Sequence, residues 1–380
     1  MSTPLRILHA HSTFDLGGKE ARAVRLMNAW GSAADHVVLS AMPGRLAARA
    51  ALAADVSVDF PENAPPLAGR PSLARLQRLA LYARGFDLVL TYNWGAFDMV
   101  MARRLFGRST GFPPLVHHED GFNADEAERL KAGRNLYRRL GLPAAHRLVV
   151  PSRRLERIAR TLWRQPDARV QRIPNGIPVE RFGHGGEIPG LAPDGALVIG
   201  TAARLGAVKN LPRLVRAFAL VPAPARLVII GEGSERHSIL AEARALGLGD
   251  RVLLPGFLPD PAAFIGAFDI FALSSDSEQF PISVVEAMAS GLPVAAPQVG
   301  DIADMVAGDN RPFIVPTGDG AALGRALQAL AADPALRHRL GAANRRKAAA
   351  DYNERVMIGA YARLYEEAAG RPHLLSAACT

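Results

Sequence analysis

One stretch of the sequence, residues 274–297, limits the fold of this chain more than any other. The apolar residues before it, 268–273, predict a buried strand. Pro281 is a residue type favoured at the first position of a helix, where its missing N–H would have no partner. Gly291 ends the predicted helix, and the apolar residues after it predict another strand. The stretch is therefore typical of an α/β unit.

Two carboxylates lie in this stretch, eight positions apart. Glu278 is in the loop before the predicted helix, and Glu286 is inside that helix among apolar residues. A carboxylate in such surroundings needs a hydrogen-bonding partner, because its burial is otherwise costly. The pair is either a capping carboxylate with a solvated helix residue, or two groups that bind a polar ligand.

A second motif spans residues 201–210, which join a predicted strand to a helix. Arg204 and Lys209 are five positions apart in this loop and could converge on one anion, although two solvated loop cations fit the same pattern. A Gly-x-Gly that ends at Gly233 follows a buried strand but lacks a third glycine, so it is weak evidence by itself. Phe257 follows a further predicted strand. Contact with a ligand and packing inside the protein are equal interpretations of this residue.

The first half of the chain begins with a predicted strand at residues 5–11, the pair Gly17 and Gly18, and a helical pattern over 21–30. The glycines let the backbone approach a ligand, and a helix start attracts anions. A plain tight turn is the alternative. The complete dinucleotide fingerprint G-x-G-x-x-G is absent from the sequence.

Two more loops follow predicted strands, at the carboxyl ends where open α/β sheets bind ligands. The first contains Asn93 and Trp94, and the second contains His117, His118 and Asp120. Binding and loop packing are equal alternatives for the first loop. The run of ionisable residues in the second favours function, but the paired histidines lack further ligands at a spacing that suits a metal.

The length of the chain and its cysteine content exclude some classes of protein. The 380 residues suffice for two domains. The only cysteine, Cys379, excludes an intrachain disulfide and a cysteine-based metal site, which fits a cytoplasmic setting. We find no apolar run near the ~18–20 residues that span a bilayer, and the N-terminus does not have the form of a signal peptide.

Charge is uneven along the chain. Residues 1–172 contain 26 Lys and Arg against 15 Asp and Glu, whereas the remainder contains 19 against 21. The basic part could meet an anionic membrane or an acidic acceptor; neither zinc spacing nor aromatic–basic interleaving supports nucleic acid. Within it, residues 153–164 predict an arginine-rich helix with an apolar stripe. This helix either lies on an anionic membrane or packs its stripe inward.

The Glu278-x7-Glu286 pattern and the Ala-Met-Ala-x-Gly-x-Pro-Val that follows resemble the signature of the family 4 retaining glycosyltransferases. This resemblance implies the GT-B fold, with two Rossmann-like α/β/α domains that face each other across a cleft. We expect an acceptor-side domain at 1–172, a donor domain at 173–350, and at 351–380 a helix that returns to the first domain and a tail. Gln279 stands where the family usually has glycine.

The resemblance also implies roles in the second domain. The donor is a nucleotide-diphosphate sugar, linked to UDP or GDP, and neither a metal nor another cofactor is expected. Glu278 contacts the sugar, Glu286 bonds the ribose, and Arg204 and Lys209 hold the diphosphate. The remaining donor-side residues are at the glycine loop, near the base and at the helix start: Gly233, Phe257, Phe280, Pro281 and Ile282.

In the first domain, the family places an important histidine in the loop of residues 117–120. His118 is one candidate for the residue that faces the anomeric carbon, another alignment puts Asp120 at that position, and His117 is the third candidate. Gly17 and Gly18 line the cleft, and Asn93 and Trp94 lie on the acceptor side.

We expect the acceptor to be a lipid, a lipid-linked sugar or a polysaccharide, and the enzyme to be cytoplasmic, with peripheral binding to the inner face of the cell membrane as a further hypothesis. A nucleotide-sugar epimerase, a non-catalytic nucleotide-sugar-binding subunit and, remotely, a Rossmann dehydrogenase are the alternatives.

Overall fold

The computed structural model describes residues 3–15, 17–70, 72–122, 126, 130–191 and 195–379; Leu16 of the glycine loop and residues 192–194 of the predicted interdomain segment lie outside this part. The chain forms two compact units. Unit 1 comprises Met1–Asn175 and Arg355–Thr380, and unit 2 comprises Gly176–Glu354. Each unit has its own parallel sheet.

In the described part of unit 1, seven parallel strands form one sheet in the order β3-β2-β1-β4-β5-β6-β7. These strands are β1 (Leu5–His11), β2 (Ala34–Ser40), β3 (Val58–Asp59), β4 (Leu88–Tyr92), β5 (Leu115–His118), β6 (Arg147–Val150) and β7 (Val170–Arg172). β4 and β5 are buried along their whole length, as expected for a parallel sheet covered on both faces. The strand order reverses between β1 and β4, and this switch point is where such sheets bind ligands.

Five helices of unit 1 lie within residues 1–175, in the part that the structure describes. They are α1 (Gly18–Trp30), α2 (Leu73–Ala83), α3 (Phe97–Thr110), α4 (Ala132–Gly141) and α5 (Arg153–Thr161). Ser72 and Ser152 cap α2 and α5, since each side chain accepts a hydrogen bond from the backbone N–H three residues on.

In the described part of unit 2, six parallel strands follow the order β10-β9-β8-β11-β12-β13. They are β8 (Leu197–Ala202), β9 (Ala225–Ile230), β10 (Val252–Gly256), β11 (Ile270–Ala272), β12 (Val294–Pro297) and β13 (Ile314–Val315). The switch point lies between β8 and β11. The loops that carry Arg204 and Glu278 therefore begin at the two central strands.

The helices of unit 2 are α6 (Leu211–Phe218), α7 (Arg236–Ala245), α8 (Ile282–Ala289), α9 (Ile302–Met305), α10 (Gly320–Ala332) and α11 (Pro334–Asp351). Pro281 caps α8 with an extended backbone, so the helix begins one residue later than predicted. Val284, Val285, Ala287 and Met288 are fully buried, whereas Glu286 between them is half-buried. The apolar residues fix which side of α8 faces the core, and Glu286 lies at the edge of that side.

The last long helix, α12 (Glu354–Ala369), provides unit 1 with core residues. Tyr361 and Tyr365 are fully buried, and the Tyr365 ring packs edge-on against Trp30, with ring centroids 5.5 Å apart. The fold of unit 1 thus joins two distant parts of the sequence.

The arginine-rich α5 packs its apolar side inward. Leu155 and Ala159 are fully buried, as is Trp163 just after the helix. The Trp163 indole N–H donates to Asn135 Oδ1 at 2.9 Å. The apolar stripe is therefore unavailable to a membrane, and the membrane interpretation of this helix is wrong. Among the helices within the described ranges, none combines the length and apolar character needed to cross a bilayer.

Candidate functional site

The loops after β8 and β11 are joined by hydrogen bonds at the switch point of unit 2. The Asp276 N–H donates to the Val208 carbonyl at 2.8 Å, and Ser274 Oγ donates to the Lys209 carbonyl at 2.9 Å. Arg213, from α6, donates to the Ser274 carbonyl at 3.2 Å. The two predicted motifs are therefore one structural site.

An ion pair connects the same loops. Lys209 Nζ lies 2.5 Å from Glu278 Oε1, and the side chains are 23% and 11% exposed. Ser275 Oγ also donates to this carboxylate oxygen, at 2.7 Å. The Glu278 carboxylate is thus held in one place, while the ammonium remains accessible to an anion.

A cavity of about 470 Å³ is lined by residues of the Arg204 loop, and its volume is within the range of small-molecule sites. Arg204 and Glu286 both line it, one from the loop after β8 and the other from α8. Phe257 forms another wall and is 69% exposed. The cavity combines a cation, a carboxylate and an aromatic ring.

The Gly-x-Gly loop packs directly against the loop of Arg204. Gly231 and Gly233 have φ values of 138° and 157°. A Cβ atom would lie 1.9 Å from the Ala203 carbonyl oxygen at Gly231, and 2.3 Å from the Leu205 carbonyl oxygen at Gly233. Gly231, which lines the cavity, and Gly233 next to it therefore permit this approach, and the glycine requirement is steric.

The start of α8 completes the site. Its first N–H groups lack intrahelical partners and carry the positive end of the helix dipole. Phe280 packs edge-on against Tyr352, with ring centroids 5.7 Å apart; Pro281 is buried and Ile282 is half-buried. The Glu278 and Gln279 carbonyl oxygens approach Gly300 so closely that a Cβ there would lie 2.7 Å from each. These contacts fix the backbone that leads from Glu278 into the helix.

In unit 1, the paired histidines are buried. His117 Nδ1 lies 2.8 Å from Thr91 Oγ1. His118 Nε2 lies 2.7 Å from the Tyr365 hydroxyl, and its Nδ1 lies 3.1 Å from the Thr91 carbonyl. Burial, helped by the nearby Arg22 charge, lowers the pKa of His118 to about 3, so its ring is neutral near pH 7. Both histidine rings are therefore buried and hydrogen-bonded to other groups of the protein.

Asp120 reaches further out and pairs with Arg22 of α1. The Arg22 guanidinium contacts both carboxylate oxygens, with 2.9 Å between Nη2 and Oδ2, and it also donates to Asn175 Oδ1 at 2.9 Å. Burial raises the pKa of Asp120, but the Arg22 charge and hydrogen bonds outweigh burial and hold this pKa below its usual value. Of the three candidates in this loop, Asp120 has the most exposed side chain, at 14%. The sequence analysis missed Arg22.

The other predicted residues of unit 1 surround the β1–β4 switch point. Gly17 and Gly18 are exposed at the start of α1. Asn93 Oδ1 accepts from the Asp120 N–H at 2.7 Å and so supports that loop. Trp94 lines a cavity of about 810 Å³ together with residues of α4. Within the described ranges, no cluster of three His, Cys, Asp or Glu side chains is placed to hold a metal ion.

The two Rossmann-like units define the class of protein: the chain has the GT-B fold. The family model described as Glycosyltransferase Family 4 matches residues 16–181, and the model described as Glycosyl transferases group 1 matches residues 189–347. The chain belongs to the family 4 glycosyltransferases.

Several curated proteins are similar to this chain. It is 33% identical to a 2-deoxystreptamine glucosyltransferase of Streptomyces kanamyceticus, over 38% of this chain and 39% of that protein. It is 29% identical to a GDP-mannose-dependent alpha-mannosyltransferase of Mycobacterium tuberculosis, over 62% of this chain and 68% of that protein. The matches to the first four curated relatives span only 27% to 50% of their own length.

Solved structures share the fold over nearly the full length. Sucrose-phosphate synthase from Thermosynechococcus elongatus matches with a TM-score of 0.73 and 21% identity, over 95% of this chain and 98% of that one. HepE of Anabaena, solved in complex with UDP, matches with a TM-score of 0.75 and 18% identity, over 96% of this chain and 100% of that one. At these identities the likeness shows the fold alone.

Proposed function

We propose that this protein is a retaining glycosyltransferase that takes a sugar from a nucleotide-diphosphate sugar and attaches it to a hydroxyl group. The observation that carries the proposal is the convergence of four predicted donor residues at one switch point. Arg204 and Glu286 line a single cavity, and the Lys209–Glu278 ion pair joins the loops beside it.

The chemistry explains why cations belong here. Breaking the bond between sugar and phosphate leaves negative charge on the diphosphate, and stabilising that charge lowers the barrier. Arg204, Lys209 and the N–H groups at the start of α8 would supply this stabilisation without a divalent metal. When the diphosphate binds, Lys209 would exchange part of its contact with Glu278 for the phosphate oxygens, which frees Glu278 to accept from a sugar hydroxyl.

The nucleoside would occupy the cavity itself. Glu286, half-buried in its wall, would accept hydrogen bonds from the ribose hydroxyls, and the exposed ring of Phe257 would pack against the base. Gly231 lets the glycine loop lie close to Ala203 in the wall of this cavity. One structural relative is solved with UDP and one curated relative is named for GDP-mannose, so both nucleotides belong in the first screen.

We assign acceptor binding to unit 1. Trp94, the cavity that it lines and the neighbouring Asn93 would bind the acceptor, and the exposed Gly17 and Gly18 at the start of α1 would leave room for the reactants. In retaining transfer by front-face attack, the leaving phosphate takes the acceptor proton, so Asp120 would position the reactants through hydrogen bonds. A lipid, lipid-linked or polysaccharide acceptor is supported by the basic charge of this unit and by relatives named for lipopolysaccharide core biosynthesis.

A donor screen tests the proposal. The protein is incubated with common UDP- and GDP-sugars in the presence of EDTA, and released sugar and nucleotide are measured. NMR of the anomeric proton in the transfer product then reports the configuration. We expect slow donor hydrolysis without acceptor and a product with the donor's anomeric configuration. Isomerisation of the donor would establish the epimerase instead, and tight nucleotide binding with no sugar release would establish the non-catalytic subunit.

A further inference from the structure

The Gly-x-Gly loop carries a carboxylate to which the proposed function gives no role. Glu232 is the middle residue of this loop and lines the cavity of about 470 Å³. The Glu232 carbonyl accepts a hydrogen bond from the Leu205 N–H at 2.9 Å, and the neighbouring Gly231 N–H donates to the Gly256 carbonyl at 2.8 Å. The backbone of Glu232 is therefore fixed between the loop after β8 and the end of β10.

The Glu232 carboxylate lies close to the residue before Phe257. A Cβ atom added at Gly256 would be 3.0 Å from Glu232 Oε1. Arg236 Nη1 donates to the same oxygen over a long 3.4 Å, and among the described residues nothing donates to Oε2. The Glu232 side chain is 55% exposed, so it keeps an accessible carboxylate near Phe257, which lines the same cavity.

Hydrogen-bond donors are scarce among the side chains of this cavity. Of the described residues that line it, Arg204 alone has a side chain that donates, Glu232 and Glu286 accept only as carboxylates, and the rest are apolar or glycine. In the proposed function, Arg204 holds the diphosphate and Glu286 bonds the ribose. Glu232 is therefore the charged side chain that remains for the base.

The common bases differ in what they offer to a carboxylate, which accepts hydrogen bonds only. Guanine has two donors side by side on one edge, the ring N1–H and the N2 amino group, and these match the two carboxylate oxygens. Uracil has a single ring N–H between two carbonyl oxygens, so a carbonyl oxygen would face the carboxylate unfavourably. Adenine and cytosine have one amino group beside a ring nitrogen that accepts. A carboxylate at this position therefore favours guanine and disfavours uracil.

We infer that Glu232 selects the base and that the donor is a guanosine-diphosphate sugar. Guanine would pack against the Phe257 ring and donate from N1 and N2 to the Glu232 carboxylate. Gly256 contributes by leaving room, because a side chain there would displace Oε1. This preference depends on the proposed function, since only a nucleotide donor brings a base into the cavity, and it narrows the donor from two nucleotide classes to one.

Isothermal titration calorimetry with GDP, UDP, ADP and CDP tests this preference without an acceptor or any transfer. The test variant is Glu232→Gln, which keeps one oxygen acceptor and replaces the other oxygen with an amino group that donates. The control is Glu235→Gln, since Glu235 accepts from Ser238 Oγ at 2.9 Å and does not contribute to the described lining of the cavity. Thermal unfolding checks that each variant is folded, which we expect for Glu232→Gln because that side chain is mostly exposed.

We expect the wild type and Glu235→Gln to bind GDP about tenfold or more tightly than UDP, the usual scale for hydrogen bonds to a charged group. In Glu232→Gln this preference should disappear, because GDP loses a charged acceptor and UDP gains a donor for one of its carbonyl oxygens. The base assignment would be overturned by a wild type that binds UDP, ADP or CDP as tightly as GDP, or by an unchanged preference in Glu232→Gln. Binding of none of these nucleotides would overturn the donor site itself, and with it both the proposed function and the base assignment.

Discussion

Lys209 and Glu278, separated by 69 positions in the sequence, form a 2.5 Å ion pair between the loops that follow the two central strands of unit 2. The pair is only partly exposed, and Ser275 supports the carboxylate with a further hydrogen bond. In the proposed reaction, Glu278 keeps the ammonium in position until a diphosphate arrives. The predictions for unit 2 follow from this arrangement.

Lys209→Ala should reduce sugar transfer by about 10²–10³-fold, because it removes a positive charge that would stabilise the leaving diphosphate. Turnover under saturating donor is the measurement. Lys347→Ala is the control, since Lys347 is also in unit 2 and pairs with Asp351 at 2.6 Å. A Lys209 variant with the turnover of the Lys347 variant would refute the diphosphate assignment.

Glu286→Ala should weaken binding of the free nucleotide diphosphate by about 10–100-fold, the usual effect of losing hydrogen bonds to a charged group. Isothermal titration calorimetry gives the Kd directly. Glu242→Ala removes a carboxylate of the same unit, one that pairs with Arg216 at 2.8 Å, and should leave the Kd unchanged. Equal affinity in both variants would exclude Glu286 from the ribose site.

Gly233→Ala should both destabilise unit 2 and weaken nucleotide binding. The added Cβ would lie 2.3 Å from the Leu205 carbonyl oxygen at a φ of 157°, a strain of about 1–3 kcal/mol at least. Thermal unfolding and calorimetry measure the two effects. At Gly249 an added Cβ meets nothing within 4 Å, so Gly249→Ala should be nearly neutral. The steric account fails if the two variants unfold at the same temperature.

His11→Phe should make the protein more resistant to acid. The His11 ring is fully buried, stacks on Tyr92 with centroids 4.0 Å apart, and has no hydrogen-bond partner for either nitrogen among the described residues. Burial, together with the nearby Lys19 charge, lowers the pKa of His11 well below its usual value. The unfolded chain therefore binds a proton that the folded protein does not.

The sign of the effect follows from this difference. Below a pH of about 6.5, protonation of the unfolded chain costs the native state about 1.4 kcal/mol per pH unit for this histidine. His11→Phe removes that loss, so its unfolding midpoint should exceed that of the wild type at acidic pH, by a margin that shrinks toward neutral pH. Thermal unfolding across this range measures it, with the exposed His237→Phe as control. Parallel pH curves for wild type and His11→Phe would contradict the prediction.

Local signals were enough to predict much of unit 2. The strand, loop and helix around Glu278 are marked by Pro281 and by a run of apolar residues, all within one stretch. Arg204 lies in a loop directly after a strand, so the α/β pattern alone brings it to the same sheet edge. The GT-B fold and the family were predicted from the resemblance of the Glu278-x7-Glu286 motif and the residues after it to the family signature, and both are confirmed.

Features that depend on distant contacts were not predictable. Arg22 gives no sign in the sequence that it pairs with Asp120, 98 positions away. Helical spacing showed that α5 has an apolar stripe but could not show that the stripe faces the core. On α4, the Arg138 side chain is fully buried among aromatic rings from three separate segments. Periodicity describes one helix at a time, so it cannot report such packing.

The split composition of unit 1 has a consequence for biosynthesis. Its core requires Tyr361 and Tyr365 of α12, and Tyr365 also contacts His118. The ribosome makes these residues only after the whole of residues 176–354. At about 5–20 residues per second, the nascent first half waits on the order of ten seconds or more for its missing helix. Unit 2, made as one continuous segment, can finish folding first although its synthesis starts second.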